Sequence, residues 1–504
     1  MLPDQPARKG NRFFPLQHFR FNNPSHAPFI RFNRILNATT TPTLRAASAT
    51  RRKSDLQRSL RLCTIDGLVA MPIVTISLPV NVFMTALVTK AFVLPKPDIG
   101  LLSAMPFLGN FIQIFIAPFL GRLHASKAIS VVAATLHLLL WLVLGVMLPF
   151  IPRDNPAVAA RWLILWFLAS SCAAAIAGVA WSSWIQEWVP PRLRGKFFSR
   201  RNRLLQFSTL SFLFGAGWAL AHWDYAIPAF QLVVVVSVVL RVFSIRWQWQ
   251  SPTRILPHAT GPVLSLRKQV GVLRGSGSFL TFIAFGSAWS FAANCFGPFY
   301  HVFMFEELGF SAFDVGILSV LAAFGGALSL PAWGLLLDRF GNKSVMTVSL
   351  LLWQTMNFLW CFLEPANRGL SYGMWVWGGM TSAGFVLGQF TILLRLIPPE
   401  AKSLAIGLNL AITSLVAAFA PVVGGAVLGW ALGRWPDALA VYHVCFIFQP
   451  VAAIAGCILL LRVAEPQASP IEMVFGAMRN IRTLSGVFGL DFLVNYVFYR
   501  PQKR

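Results

Sequence analysis

Residues Leu330 to Val345 read LPAWGLLLDRFGNKSV. An apolar stretch runs to Gly334, and Asp338, Arg339, Gly341 and Lys343 then arrive before apolar sequence resumes at Val345. A charged side chain in the hydrocarbon centre of a bilayer costs about 3 kcal/mol. A charged cluster held between two greasy segments therefore reads as a turn at a membrane surface. Its glycines suit a sharp, close turn between antiparallel helices.

The same alternation extends over nearly the whole chain. Of 504 residues, 56% are apolar and only 12% charged, and the mean hydropathy is +0.64. A soluble domain carries about 25% charged residues. Runs of about 20 apolar residues recur, each long enough to cross a bilayer as a helix. No alternating pattern of the barrel type is present. The expected fold is an all-α polytopic membrane protein with twelve spans. They lie at residues 65–91, 98–121, 128–150, 160–185, 204–222, 226–246, 279–303, 314–337, 344–363, 371–395, 403–430 and 438–461, and are numbered span 1 to span 12 in that order.

The net charge of +25 would suggest nucleic acid in a soluble protein, but here the basic residues sit between the apolar runs. Arg122 and Lys127 lie between spans 2 and 3. Arg192, Arg194, Lys196, Arg200, Arg201 and Arg203 lie between spans 4 and 5, and Arg254, Arg267, Lys268 and Arg274 between spans 6 and 7. The alternate gaps are short and acidic, with Asp154, Asp224, Glu306, Glu307, Glu364 and Asp437. By the positive-inside rule both termini are cytoplasmic. The expectation is a multi-pass protein of the plasma (inner) membrane with no nucleic-acid partner; an organelle membrane is the alternative.

Residues 1–60 read as a basic disordered tail against anionic lipid, with an organelle transit peptide as the other reading. Residues 247–278 are rich in Gly, Pro, Ser and basic residues and read as a cytoplasmic linker. It joins two six-helix bundles, 61–246 and 279–462, and a cytoplasmic tail occupies 463–504. The bundles repeat one another. Ile99-Gly-Leu-Leu-Ser103 corresponds to Val315-Gly-Ile-Leu-Ser319, and Val189-Pro-Pro-Arg-Leu-Arg-Gly195 to Ile397-Pro-Pro-Glu-Ala-Lys-Ser403. Two parallel repeats joined by a basic loop are the layout of a secondary transporter.

The stretch Gly334-Leu-Leu-Leu-Asp338-Arg339-Phe-Gly341-Asn-Lys343 resembles the G-x-x-x-D-R-x-G-x-K/R loop motif of the major facilitator superfamily. The resemblance covers about residues 60–462, through the motif, the topology, the central loop and the repeat. It implies two bundles around a central cavity, alternating access, and gradient-driven movement of a small organic solute. It also implies a gating role for Gly334, Asp338, Arg339, Gly341 and Lys343. The Asp338 carboxylate can pair with a cation or a helix N-terminus of the opposite bundle only when the cytoplasmic side is closed, which would bias one of two states. The counterpart at Pro118–Lys127 is about three residues shorter and has no Asp, so any charge latch is one-sided. The alternative for both loops is a topogenic turn indifferent to state.

The stretch from Trp184 to Asn202 resembles the P-x-x-x-R-G loop of bacterial permeases in that superfamily. Arg194, Gly195 and Arg200 are candidate latch partners of Asp338, and Arg395 is another. Their alternative role is topology and contact with anionic lipid. No carboxylate sits near a bilayer midplane. Asp66 and Glu187, at the inner ends of spans 1 and 4, are the candidates for proton coupling. His137, the titratable group nearest a midplane, reads as structural. Neutral polar and aromatic residues are the candidates for lining a substrate cavity: Asn81, Asn110, Gln113, Trp181, Trp289, Asn294 and Gln389. Their other roles are interhelical bonding and interfacial anchoring.

No cofactor or metal set emerges. The six cysteines are scattered, with no ligand spacing, and no nucleotide-binding P-loop is present. The eight histidines form no constellation with acids or serines, so an enzyme is not expected. The leading expectation is a monomeric transporter. A transporter-like sensor or scaffold is the alternative, and a drug/proton antiporter stands behind it.

Overall fold

The computed structural model describes residues 42–78, 80–123, 125–251, 265–465 and 468–479. The rest of the two tails, Pro79, and residues 252–264 of the expected linker lie outside the described residues, as do the side chains of Glu187, Arg194 and Gly195. Among the described residues, eleven helical stretches are long and apolar enough to cross a membrane. Lys96–Leu123, with 28 residues and a length of roughly 40 Å, completes the expected twelve. Each span satisfies its backbone groups internally, as hydrocarbon demands.

Several expected boundaries move, each for a visible reason. Span 1 starts inside the segment read as a tail, in the helix Pro42–Ile76. It breaks at Ser77 and resumes as Val82–Ala86 and a π-helical turn Leu87–Ala91. Span 7 breaks too, into Gly277–Cys295 and Gly297–Glu306, where Pro298 supplies no backbone N–H. Spans 8 and 9, Ala312–Phe340 and Asn342–Asn357, are separated by Gly341 alone. Its φ of 86° is open to glycine at no steric cost, so Gly341 makes the turn. Gly334 lies well inside span 8, and a Cβ there would meet nothing within 4 Å. The sharp turn therefore depends on one glycine of the pair.

The packing repeats between halves. Span 2 lies on span 4, span 3 on span 4, and span 3 on span 6. In the same way span 8 lies on span 10, span 9 on span 10, and span 9 on span 12. Small residues permit the closest of these approaches: Gly384, for example, seats against the Trp333 ring and Ser349. The short helix Ile471–Arg479 follows span 12, and its Val474 is buried against Trp333, Phe340 and Val345.

Candidate functional site

Three features stand out: a polar cavity in the first half, a clamp on the turn between spans 8 and 9, and a seal between the halves.

The cavity has a volume of about 480 Å³ and is walled by spans 1 to 6. Asp66 is buried at its edge, 3% exposed. Ser244 Oγ donates to Asp66 Oδ1 at 2.6 Å, and Gln248 Nε2 donates to the same oxygen at 3.1 Å. Arg241 Nη1 donates to Ser244 Oγ at 3.0 Å, so the serine bridges cation and carboxylate. Arg201 is buried as well. Its Nε donates to the Cys63 carbonyl at 3.2 Å, and its guanidinium stands 4.7 Å over the Trp181 ring. Gln113 Nε2 donates to Asn110 Oδ1 at 2.8 Å. His137 Nε2 accepts from Trp141 Nε1 at 3.0 Å, which leaves the ring proton on Nδ1. Arg241 Nε, Gln248 Oε1 and Ser171 Oγ are buried without partners. Two guanidiniums and one carboxylate thus line a cavity whose walls also carry Asn110, Gln113, His137 and Gln248 among apolar residues.

The structure brings Asp66, Asn110, Gln113 and Trp181 together here. Asp66, at the inner end of span 1, is buried, and span 6 supplies Ser244 and Gln248 to bond it. Asn81 does not face the cavity. Its Oδ1 accepts from Met84 N–H and its amide donates to the Ile76 and Leu78 carbonyls, so it is consumed in holding the break of span 1. Trp289 packs between Trp353 and Phe385 inside the second half. Asn294 Nδ2 donates one turn back to the Ser290 carbonyl at 2.8 Å. Gln389 is half-buried in span 10, away from this cavity. Arg241 was missed from the sequence, although an arginine inside the apolar run of span 6 is itself a signal for a functional residue.

At the turn, the side chain that organises the cluster is Glu465. Its carboxylate accepts from the Asn342 and Lys343 backbone N–H groups at 3.2 and 2.7 Å, from Asn342 Nδ2 at 2.8 Å, and from Arg395 Nη1 at 3.1 Å. An acid at the N-terminus of span 9 is favourably placed against the helix dipole. Lys343 Nζ donates to the Val463 carbonyl at 3.1 Å. Arg395 is therefore paired with Glu465 and not with Asp338. Asp338, Arg339 and Arg200 are exposed, and Asp338 has no ion pair among the described residues. Glu465→Gln should destabilise the protein by about 2 kcal/mol, the size of a charge-assisted hydrogen-bond set. Unfolding at the wild-type temperature in a thermal scan would show that the clamp contributes nothing.

The seal lies at the face opposite the basic loops. Lys96 Nζ donates to Glu306 Oε1 at 2.6 Å, Lys90 Nζ to the Phe305 carbonyl at 3.0 Å, and Ala312 N–H to Tyr225 Oη at 2.9 Å. Span 2 meets span 11 backbone to backbone: a Cβ on Gly425 would lie 2.6 Å from Lys96 O. Span 5 meets span 8 the same way, with Gly217 against Ala312 O. Lys96–Glu306, Lys90–Phe305 and Ala312–Tyr225 all bond the two halves at this end.

Two six-span halves bonded to one another at the end opposite the basic loops make a two-bundle helical membrane fold. A family model described as Major Facilitator Superfamily matches residues 278–499, in the second half of the chain. An uncharacterized MFS-type transporter of Bacillus subtilis (strain 168), YhcA, is 23% identical over 190 residues, 37% of this chain. That match spans about a third of the relative's length (34%). The nucleoside transporter NupG superposes with a TM-score of 0.59 at 14% identity, over 81% of this chain and 98% of that one. The inward open xylose transporter XylE from E. coli superposes with a TM-score of 0.60 at 14% identity, over 84% and 99%. At these identities the superpositions speak for the fold.

Proposed function

We propose that the protein moves a small organic solute across its membrane by alternating access, with residues 61–246 and 279–462 as the moving halves. The basic face is the cytoplasmic one, both termini lie there beside anionic lipid, and the working unit is a monomer in the plasma (inner) membrane. The observation that carries this reading is the set of bonds that joins the halves at the end opposite the basic loops. A rocker must be able to exchange one such seal for another. With the basic face cytoplasmic, the structure is the inward-open state.

The first-half cavity is where the solute engages. Its guanidiniums, Arg201 and Arg241, favour a solute rich in hydrogen-bond acceptors, and Trp181 offers a flat apolar wall. Relatives of this fold carry names as different as nucleoside and xylose transporter, so the fold does not select the solute. Asp66, bonded to span 6, is the coupling candidate.

In the outward-open state the Gly334–Lys343 motif closes on the loop between spans 4 and 5, and Asp338 gains a basic partner there, among them Arg194 or Arg200 near Gly195. Asp338→Asn leaves the observed state untouched, because Asp338 has no ion pair among the described residues, and weakens the other. A loss of about 1 kcal/mol from that other state, the size of an exposed ion pair, shifts the balance roughly fivefold toward the cytoplasmic opening. The check uses Asn110→Cys in a background free of other cysteines, labelled by an impermeant maleimide from each side of oriented vesicles. Wild type should label from both sides over time, and Asp338→Asn preferentially from the cytoplasmic side. Labelling from one side only, in both proteins, rules out alternating access.

A further inference from the structure

Arg201 brings to the first-half cavity a positive charge that no described carboxylate pairs. An arginine at the inner end of a span ordinarily extends its long side chain toward the headgroups. Arg201, in the helix Pro191–His222, turns inward instead and is only 8% exposed. Its Nε is spent on the Cys63 carbonyl, and one face of the guanidinium lies over Trp181. The two terminal nitrogens donate to no described residue, yet they are not sealed in: both keep surface that a water-sized neighbour can reach. Gly67 makes the place for them, since a Cβ there would fall 2.8 Å from Arg201 Cζ. Gly67 is itself on the cavity wall, so the unspent half of the guanidinium opens into the cavity. An uncompensated charge at such a place is costly, and an occupant with a negative charge removes the cost.

The lining says which anion fits. The charged residues of the described wall are Asp66, Arg201 and Arg241. Asp66 Oδ1 accepts from Ser244 and Gln248, and Ser244 links it to Arg241. Those two charges offset one another, and that of Arg201 is left over. One negative charge balances the site. A dianion would bring a second charge with no counterpart, and a cation would meet two guanidiniums. Gln113 Nε2 donates to Asn110 Oδ1, which leaves the Asn110 N–H groups for an oxygen of the occupant. Much of the remaining wall, including Met71, Phe107, Ala174, Ala175 and Trp181, is apolar, so the body behind the charge is apolar too. The volume of about 480 Å³ lies within the roughly 300–1,000 Å³ of small-molecule sites.

We propose that the first-half cavity binds a monoanionic organic acid, its carboxylate on the terminal nitrogens of Arg201 and on Asn110, its apolar body along Trp181 and span 4. This names the solute class of the transport reading and rests on that reading.

The test is thermal unfolding of the purified full chain, at neutral pH, with two acids and their neutral amides: benzoate against benzamide, and indole-3-acetate against indole-3-acetamide. Tryptamine supplies a cation on the same ring. A ligand of the folded state raises the unfolding temperature by mass action. At least one acid should do so, while its amide and tryptamine should not. Arg201→Met keeps the bulk beside Trp181 without the charge and should weaken the acid at least tenfold. Gly178→Leu keeps Arg201 and fills the space, because a Cβ at Gly178 meets nothing within 4 Å. It should abolish the shift, and it carries the test if Arg201→Met does not fold. No shift with either acid means that water or small inorganic anions satisfy Arg201, and overturns the proposal. So does an equal shift with the amide, or a shift that survives both Arg201→Met and Gly178→Leu. Binding is read here without movement of the halves, so the two readings can fail separately. An acid-specific shift in a protein whose Asn110→Cys labels from one side only would remove transport and leave the anion site. Labelling from both sides with no acid shift would do the reverse.

Discussion

Gly100→Leu should hold the protein away from the state observed. Gly100 is in span 2, where it faces span 11 of the other half. A Cβ there would fall well inside contact distance of the Pro421 carbonyl oxygen, 3.1 Å from its carbonyl carbon and 3.2 Å from Gly425 Cα. All three are backbone atoms, so no rotamer change relieves the clash, and only separation of the halves does. The penalty exists in the sealed state alone. Each 1.4 kcal/mol of it changes the ratio of states tenfold, and about 5.5 kcal/mol would invert a 99:1 preference. Ala312→Cys reports the outcome, since Ala312 is fully buried in the second point of the seal, against Gly217. In Gly100→Leu, labelling of that cysteine from the non-basic face should speed up by at least tenfold, and solute flux should fall. Gly217→Val, with its Cβ 2.5 Å from Ala312 O, attacks the other contact and should act in the same direction. Unchanged labelling in both variants, in protein that still folds, would mean that the halves never part at this end.

Asp66→Ala should be among the most destabilising single changes in the first half. It leaves the buried Arg241 without its only nearby carboxylate, bridged through Ser244. Removing one partner of a buried ionic group costs about 3–5 kcal/mol, because the other charge stays desolvated. The second change is the informative one. Arg241→Met in the same chain removes the stranded charge, and most of the lost stability should return, as expected for groups coupled in one network. Unfolding midpoints of wild type, the two single variants and the double variant complete the cycle. Additive losses would show that Asp66 and Arg241 do not act as a unit. If Asp66 also couples solute to protons, the double variant should be stable and still insensitive to a pH gradient.

Much of the architecture was legible one stretch at a time. An apolar run of about 20 residues has one stable arrangement in a bilayer, so span number follows from composition. The turn at Gly341 was legible because a charged cluster cannot remain in hydrocarbon. The break in span 7 falls at Pro298, and the role of Asn81 at the break in span 1 was not legible. Read as a polar lining residue, it is spent on backbone groups that the break of span 1 leaves free.

The polar networks were harder to read. Asp66 meets Ser244 and Gln248, which are 178 and 182 residues away in the chain. Glu465, in what read as a cytoplasmic tail, binds Asn342, Lys343 and Arg395.

The sequence by itself determined that this chain crosses a membrane through paired sets of helices, where it turns, and that its halves repeat. These are local properties, set by the exchange of each segment between water and lipid. Which polar side chains converge, which charges are paired, and which end is sealed were decided by the tertiary structure alone. They depend on the rotation of each helix about its own axis and on close approach at small residues, and both are settled only when helices pack against one another.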